Sequence, residues 1–222
     1  MTALPESGFL ANASQDLRDL LQRVAEEIDL ADAEVLFEQG DEGDALYAVM
    51  SGAIELSVLS REGRKLTLDV VGPGALFGEI ALFDPTTRTA SAVAVGQTRL
   101  MRVRNAELLD ELRRAPELAI DLVRLAGQRM RWMAKQLHEQ VFLPMPSRLA
   151  RKILHLTTSA WGAGDTLDMS QSELADFVGA TREAVSKTLS GWKAKGVIEN
   201  TRGGLRITDR DALQTLADFD YI

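Results

Sequence analysis

The chain contains no cysteine among its 222 residues, which excludes disulfides, thiolate metal sites and cysteine-held iron–sulfur clusters. Its only histidines, His138 and His155, fall on predicted helices, so no haem ligand or metal site is expected. No run reaches the ~20 apolar residues of a membrane helix. The first residues also lack the basic-then-apolar pattern of a signal peptide. We therefore expect a protein of the reducing cytoplasm with no tightly bound cofactor or metal.

The net charge of −8 is unevenly distributed along the chain. Residues 142–222 carry 10 basic and 10 acidic side chains, so the whole acidic excess lies in residues 1–141. The C-terminal part is therefore able to present a basic face, whereas the acidic part weakens non-specific attraction to nucleic-acid phosphates. This distribution suits a DNA-binding protein whose affinity is regulated.

The first half of the chain changes from a helical to a strand pattern. Residues 14–28 predict a helix, because Ser14 is a good N-cap and leucines recur at helical spacing. Short strands follow, punctuated by glycine at 40–43, 51–52, 62–63 and 72–74, and the last two strands are 90–95 and 98–104. Many short strands at this interval indicate an antiparallel barrel or sandwich. Asn105 is then a predicted cap for a short helix that ends near Arg114.

A long helix is predicted from Pro116 to about Phe142, because no strong helix breaker interrupts it. At ~1.5 Å per residue such a helix is about 40 Å long. Two interpretations are open: the helix packs on its own domain, or its apolar face is a dimer seam, which we favour. The apolar residues assigned to that single face are Leu118, Leu122, Leu125, Met130, Met133, Leu137 and Val141.

Two prolines, Pro144 and Pro146, mark a hinge at 143–147 and the domain boundary, and a further helix is predicted over 148–160. Residues 170–193 then predict a helix-turn-helix. Ser170 caps the first helix, Gly179 supplies a left-handed turn residue, and Thr181 caps the second helix.

The second helix of this motif has one buried and one polar face. It buries Ala184 or Val185, together with Leu189 and Trp192. A polar face near the start of such a helix fits the DNA major groove, where Arg and Lys donate to guanine and Glu accepts from cytosine. The alternative is a small α+β domain with a merely solvated polar face. The polar face consists of Arg182, Glu183, Ser186, Lys187 and Ser190.

The segment VIENTRGGLRI, which follows the second helix, predicts a strand, a Gly-Gly turn and a second strand. Such a hairpin would be a wing beside the helix-turn-helix. Arg202 and Arg206 lie on it, where they are placed to contact phosphates.

Several segments together resemble the Crp/Fnr family: GDEGDALYAVMSGAIEL (40–56), FGEIALFDPTTRTA (77–90), the long helix and the ATREAVSK turn (180–187). The resemblance covers nearly the whole chain in the family's order. It implies an α+β chain with a cyclic-nucleotide-binding-type β-barrel (jelly roll) over 1–115, a dimerisation helix over 116–143 and a winged helix-turn-helix over 144–222. It also implies a homodimer that binds an inverted-repeat operator in double-stranded DNA and meets RNA polymerase.

The resemblance makes 77–90 a phosphate-binding cassette. In the family, a glycine such as Gly78 lets the backbone approach the ligand, and the next N–H groups face a phosphate. Glu79 would accept a hydrogen bond from a ribose 2′-hydroxyl, while Arg88 would pair with the cyclic phosphate and Thr89 would add a hydroxyl. The alternative is a structural salt bridge between Glu79 and Arg88. The ligand-binding residues implied here are Gly78, Glu79, Ile80, Ala81, Arg88 and Thr89.

On the long helix, the resemblance assigns Arg129 to support Glu79. In cyclic-AMP-binding members a Thr-Ser pair on this helix reads the adenine, but here Met133 and Ala134 occupy those positions. Neither side chain forms a useful hydrogen bond. Cyclic AMP is the first expectation for the effector, and cyclic GMP, relaxed base specificity or a non-nucleotide effector stay open.

For DNA, the resemblance gives Arg182, Glu183 and Lys187 as base contacts, with Ser186 between them. Both half-sites that the family uses, TGTGA-like and TTGAT-like, stay open. A nucleotide-binding module without a DNA target is a second alternative. An enzyme is not expected, because no nucleophile–base pair accompanies Glu79 and Arg88.

Overall fold

The computed structural model describes residues 8–158 and 162–218. The chain divides into two units by its internal contacts. The first unit consists of Met1–Leu59 and Leu68–Trp132, and the second of Ser60–Thr67 and Met133–Ile222. The division after Trp132 falls inside the long helix.

The first unit begins with a 3-10 turn (Gly8–Asn12) and helix α1 (Gln15–Val24). Ser14 caps α1, since its hydroxyl accepts a hydrogen bond from the Leu17 N–H at 3.2 Å. The prediction of a helix to residue 28 was wrong in its end point. The helix ends at Val24 and strand β1 (Glu26–Leu30) begins two residues later, because its backbone pairs with residues 98–102 of a later strand.

Six strands wind into a jelly-roll-like arrangement whose hydrogen-bond ladder does not close among the described residues. Their order is β1-β6-β3-β4, with β2 paired to β6 and β5 to β3. The predicted glycine turns at 40–43, 62–63 and 72–74 each separate two strands. The remaining strands are β2 (Val35–Phe37), β3 (Ala45–Leu59), β4 (Lys65–Val71), β5 (Leu76–Phe77) and β6 (Ser91–Arg104), and a short helix α2 (Ile80–Phe83) lies between β5 and β6.

The predicted turn at 51–52 is a bulge within β3. Gly52 has φ +77°, and a Cβ there would lie 2.5 Å from the Gln97 carbonyl oxygen, so only glycine fits. The Thr98 hydroxyl donates to the Ala53 carbonyl at 2.9 Å and accepts from the Ala53 N–H at 3.2 Å. The prediction of two strands over 90–104 was also wrong. They form the single strand β6, because its pairing with β3 continues on both sides of this bulge.

Helix α3 (Asn105–Arg114) follows β6. The prediction that Asn105 caps this helix was wrong, because Asn105 is its first residue and Arg104 is at the N-cap position. The Asn105 amide instead donates to the carbonyls of Gly43 and Ala81, both at 3.2 Å. Asn105 therefore ties the glycine turn at 40–43 to helix α2.

Helix α4 (Pro116–Phe142) has two apolar faces, so the prediction of a single face was wrong. Leu118, Leu122 and Leu125 are buried in a core with residues of α1, α3 and the strands. Five other apolar side chains of α4 lie on a different face and are 56–66% exposed. Together with two small residues they recur along the helix at alternating intervals of three and four residues. That face comprises Ile120, Val123, Gly127, Met130, Ala134, Leu137 and Val141, and we call it the seam face.

The second unit is a winged helix-turn-helix whose sheet has the order β7-β8-β10-β9. Its first helix begins at Met145, three residues before the predicted start, and residues 159–160 of that prediction lie outside the described ranges. The predicted wing is confirmed. The elements are α5 (Met145–Thr158), β7 (Gly162–Ala163), β8 (Thr166–Leu167), α6 (Gln171–Val178), α7 (Arg182–Ala194), β9 (Ile198–Asn200), β10 (Leu205–Ile207) and α8 (Arg210–Ala217).

Two residues, Leu143 and Pro144, connect α4 to α5, so the connection is shorter than the predicted hinge at 143–147, because residues 145–147 form the first turn of α5. The Arg148 guanidinium donates to the carbonyls of Gln140 at 2.9 Å, Leu143 at 3.2 Å and Val178 at 3.1 Å. Burial lowers the pKa of Arg148 from its ordinary value. These bonds satisfy the terminal carbonyls of α4 and α6 and fix the hinge to the helix-turn-helix.

Candidate ligand site and nucleic-acid interface

Arg88, the one arginine of the cassette at 77–90, is buried, with 5% of its surface exposed. Its guanidinium lies 4.3 Å from the centre of the Phe37 ring and donates to the Gly78 carbonyl at 3.2 Å. Its Nη2 lies 3.7 Å from Asp44. The buried Nε has no hydrogen-bond partner among the described residues. A buried donor without a partner is costly, so this atom is suited to an anionic ligand.

The backbone holds Arg88 in place. Its N–H donates to the Asp41 carbonyl at 2.7 Å, and its carbonyl accepts from the Gly40 N–H at 2.9 Å. Gly78 has φ +78°, and a Cβ there would lie 2.9 Å from Nη1 of Arg88. The group that lies close to this glycine in the structure is the Arg88 guanidinium, and the approach of a ligand to Gly78 stays a prediction.

Sequence reasoning missed the groups that surround this guanidinium. Asp44 also accepts from Arg102 at 2.6 Å, so one carboxylate serves two arginines. The Tyr47 ring lies 5.5 Å from the Arg88 guanidinium. Burial raises the pKa of the Tyr47 hydroxyl, against the opposing charges of Arg88 and Arg102, so the phenol stays protonated at neutral pH. The only signal was the GDEGDALY segment, which contains Asp44 and Tyr47 but does not reveal what they contact.

Glu79 and Arg129 lie together, as the resemblance implied. Their Oε1 and Nε atoms are 3.7 Å apart, and both side chains are largely buried. The Arg129 guanidinium also stacks over the Trp132 ring, 4.4 Å from its centre. The alternative of a Glu79–Arg88 salt bridge was wrong, because Glu79 pairs with Arg129 and Arg88 with Asp44.

The cassette borders two cavities in the first unit. Glu79 and Arg129 line a small one of about 20 Å³ against α4. Arg88 lines a larger one of about 310 Å³, which carries charged groups of both signs and an apolar wall. The larger cavity is lined by Ile28, Leu36, Phe37, Asp41, Glu42, Asp44, Tyr47, Arg88 and Arg102.

The other predicted ligand residues differ in burial. Ala81 is buried in the first turn of α2, while Ile80 and Thr89 are exposed. Met133 and Ala134 are also exposed. The structure therefore joins Gly78 to Arg88 and Glu79 to Arg129, and it leaves the remaining side chains at the surface or in the core.

Both predicted caps of the helix-turn-helix are confirmed as caps. The Ser170 hydroxyl accepts from the Glu173 N–H at 3.2 Å, and the Glu173 carboxylate accepts from the Ser170 N–H at 2.7 Å. The Thr181 hydroxyl accepts from the Ala184 N–H at 3.3 Å. Gly179 ends α6 with φ +60°, the left-handed conformation that the turn requires.

The faces of α7 match the prediction. Val185, Leu189 and Trp192 are buried. Arg182, Glu183 and Lys187 are exposed, and Ser186 is half-buried between them. Within residues 8–158 and 162–218, neither Arg182 nor Lys187 forms an ion pair, so both are free to donate to base edges.

On the wing, the two arginines differ. Arg206 pairs with Glu199 on the neighbouring strand, whereas Arg202 has no ion-pair partner in the part of the chain that the structure describes. Arg202 is therefore the better placed of the two for a phosphate. A cavity of about 240 Å³ separates the start of α6 from the wing and includes Ser170, Thr201 and Gly203 in its lining.

Other types of site are not found in what the structure covers. Among residues 8–158 and 162–218, no cluster of three or more His, Cys, Asp or Glu side chains is arranged to hold a metal ion. No helix within those ranges combines the length and apolar character of a membrane span.

Comparisons with known proteins agree with this arrangement. Residues 27–115 match the cyclic nucleotide-binding domain family, and residues 147–216 match the Crp-like helix-turn-helix domain family. A cyclic AMP receptor protein of Thermus thermophilus is 35% identical over 182 residues, which are 82% of this chain and 83% of that protein. A CRP-like cAMP-activated global transcriptional regulator of Mycobacterium tuberculosis is 29% identical, covering 95% of this chain and 96% of its own. The crystal structure of the Thermus thermophilus catabolite activator protein has a TM-score of 0.54 at 32% identity, covering 95% of this chain and 98% of that chain.

The chain belongs to the Crp/Fnr family of transcription regulators. It is a DNA-binding regulator with a cyclic nucleotide-binding domain, and its family consists of regulators rather than enzymes.

Proposed function

We propose that the chain is a homodimeric regulator whose DNA binding is switched on by a cyclic nucleotide, with cyclic AMP as the first candidate. The dimer binds an inverted-repeat operator in the cytoplasm and contacts RNA polymerase from there. The observation that carries the proposal is the buried Arg88 guanidinium, whose Nε has no hydrogen-bond partner among the described residues.

Arg88 is able to exchange its present partner for a phosphate. Asp44 lies 3.7 Å from Arg88 but only 2.6 Å from Arg102, so it keeps a close counter-ion when Arg88 turns to another anion. A cyclic phosphate would offer oxygen acceptors to the planar guanidinium. The names of two relatives, a cyclic AMP receptor protein and a cAMP-activated regulator, favour cyclic AMP.

The residues at the base-reading positions do not select one base. Met133 and Ala134 offer no hydrogen bond to a base edge. A site without such bonds discriminates weakly between purines. Cyclic GMP is therefore the second candidate effector. A regulator with a non-nucleotide effector is the alternative that these two residues favour.

The dimer contact that we propose is the seam face of α4. Its alternating spacing of three and four over 120–141 is the heptad pattern of a two-helix coiled coil. Gly127 and Ala134 lie within this face, and their small size lets two helices approach closely. The opposite side of α4 is already covered by the core of the first unit, so the seam face is the one that a second copy would cover.

Leu137→Glu is expected to dissociate the dimer. Two glutamates would face each other in an apolar seam, and burying unpaired charge of this kind weakens the dimer by about 100-fold or more. Sedimentation velocity across a concentration series measures the change. Lys135→Gln alters the net charge equally beside the seam and should leave the dimer intact. A Leu137→Glu protein that sediments as the parent does would contradict the seam.

The switch itself is tested on DNA. We expect cyclic AMP to raise the affinity for an operator, selected from a random-sequence duplex pool, by about 5–150-fold, the usual range of allosteric coupling. The ligand acts near α4, and the segment 143–147 transmits the change to the two copies of α7. Fluorescence anisotropy with cyclic AMP, cyclic GMP or neither measures the coupling. Operator affinity that no nucleotide alters would reject the switch.

A further inference from the structure

Trp132 contacts the Arg129 side chain on helix α4. The guanidinium carbon of Arg129 lies over the indole, 4.4 Å from the ring centre, and the Arg129 Nε lies 3.7 Å from Oε1 of Glu79. The three side chains form a row in which the indole supports the cation and the cation faces the carboxylate. All three lie in the first unit, and Glu79 and Arg129 line the same cavity as the core residues Leu122 and Leu125 of α4.

The long side chain of arginine has many rotamers, so an arginine held on one face only is poorly oriented. Stacking on an aromatic ring restricts its plane, and a planar guanidinium that is held in this way presents a fixed edge to a carboxylate. Without the indole, the 3.7 Å approach to Glu79 loses the support that the ring gives to the cation. Glu79 is at the start of α2 and forms no capping bond with its side chain, so its orientation depends on Arg129.

We propose that Trp132 is a positioning residue that sets the affinity of the site for the ribose 2′-hydroxyl, by holding Arg129 against Glu79. This inference rests on the proposed nucleotide function, in which Glu79 accepts the hydrogen bond from that hydroxyl. Trp132 does not touch the phosphate. Arg88 binds the phosphate, and it does so independently of Trp132, Arg129 and Glu79. Removing the indole therefore weakens recognition of the 2′-hydroxyl and leaves recognition of the phosphate unchanged.

The consequence is measurable with two ligands that differ by one oxygen. Cyclic AMP and its 2′-deoxy analogue are titrated calorimetrically into the full chain. The parent protein is expected to bind cyclic AMP about 10-fold more tightly than the analogue, because hydrogen bonds to a charged group are strong. In Trp132→Ala this ratio falls to about one, with the affinity for the 2′-deoxy analogue unchanged, since only the orientation of Glu79 is lost.

Two further variants separate positioning from general packing. Trp132→Phe keeps an aromatic face under the guanidinium and should restore most of the ratio. Arg129→Lys removes the planar group and should reproduce Trp132→Ala, even if the alanine variant folds poorly. Gln128→Ala, on the same helix, should match the parent protein with both ligands.

The outcomes distinguish this inference from the function on which it rests. A parent protein that binds neither ligand rejects the nucleotide function, and the inference fails with it. A parent that prefers cyclic AMP while Trp132→Ala and Arg129→Lys keep the same preference rejects only the role of Trp132. Equal loss of affinity for both ligands in these variants also overturns it, because a purely structural role predicts that result.

Discussion

Arg88→Ala is expected to reduce the affinity for cyclic AMP by about 100-fold or more, because loss of one partner from a buried charge pair costs about 3–5 kcal/mol. Arg88 is 5% exposed, and its Nε is the buried donor that lacks a partner among the described residues. Isothermal titration calorimetry measures the loss. A thermal shift with and without nucleotide supplies a second measurement, since a ligand that binds only the folded state raises the melting temperature.

Two controls keep this result specific. Arg88→Lys preserves the charge but not the planar fork, so its affinity should fall between those of the parent and the alanine variant. Arg102→Ala removes the counter-ion that Asp44 keeps when Arg88 turns to the phosphate, so it should weaken cyclic AMP binding only partly and clearly less than Arg88→Ala does. If Arg102→Ala loses binding as fully as Arg88→Ala, the loss reflects the local charge balance and not a phosphate contact by Arg88.

The double variant Arg182→Ala, Lys187→Ala is expected to reduce operator affinity by about 100-fold and to relax sequence preference, since each good base contact contributes about 1–3 kcal/mol of discrimination. Both side chains are exposed near the start of α7, while Val185, Leu189 and Trp192 anchor the other face. Nucleotide binding, which belongs to the first unit, should not change. Anisotropy titrations with the operator and with a scrambled duplex measure both effects.

A variant of the wing separates phosphate contacts from base contacts. Arg202→Ala should weaken binding to the operator and to the scrambled duplex alike. The slope of log affinity against log salt should become shallower by about one, because one arginine–phosphate pair is removed. Lys193→Ala, at the far end of α7, should change neither sequence preference nor operator affinity strongly. A double variant of Arg182 and Lys187 that retains full sequence preference would show that α7 does not read the bases.

The local signals of the chain were predictable because they depend on near neighbours. Ser14, Ser170 and Thr181 cap helices as expected, since a capping side chain bonds an N–H only three residues away. The same signals fail where a distant segment intervenes. Gly52 looks like a turn, but the contact with β6 makes it a bulge. The Asn105 side chain bonds the distant turn at 40–43 and helix α2 instead of capping α3.

Some residues of the candidate site were likewise predictable from the sequence, and others were not. The cassette from Gly78 to Arg88 was recognisable because its residues are close in sequence and keep the spacing of the family. Asp44 and Phe37 meet Arg88 only after the strands have wound, so nothing local in the sequence marks them as its partners. The contact between Trp132 and Arg129 was likewise not predictable, because a helical pattern shows which residues share a face but not which side chains meet there.

The amino-acid sequence by itself determined the family, the helix-turn-helix with its caps, and the position of the cassette at 77–90. These features rest on spacing, capping and turn chemistry, which act over a few residues. Only the tertiary structure decided which leucines of α4 enter the core and which apolar side chains remain for a partner. It alone paired Arg88 with Asp44, because a salt bridge depends on distance in space and many carboxylates compete for each arginine along the chain.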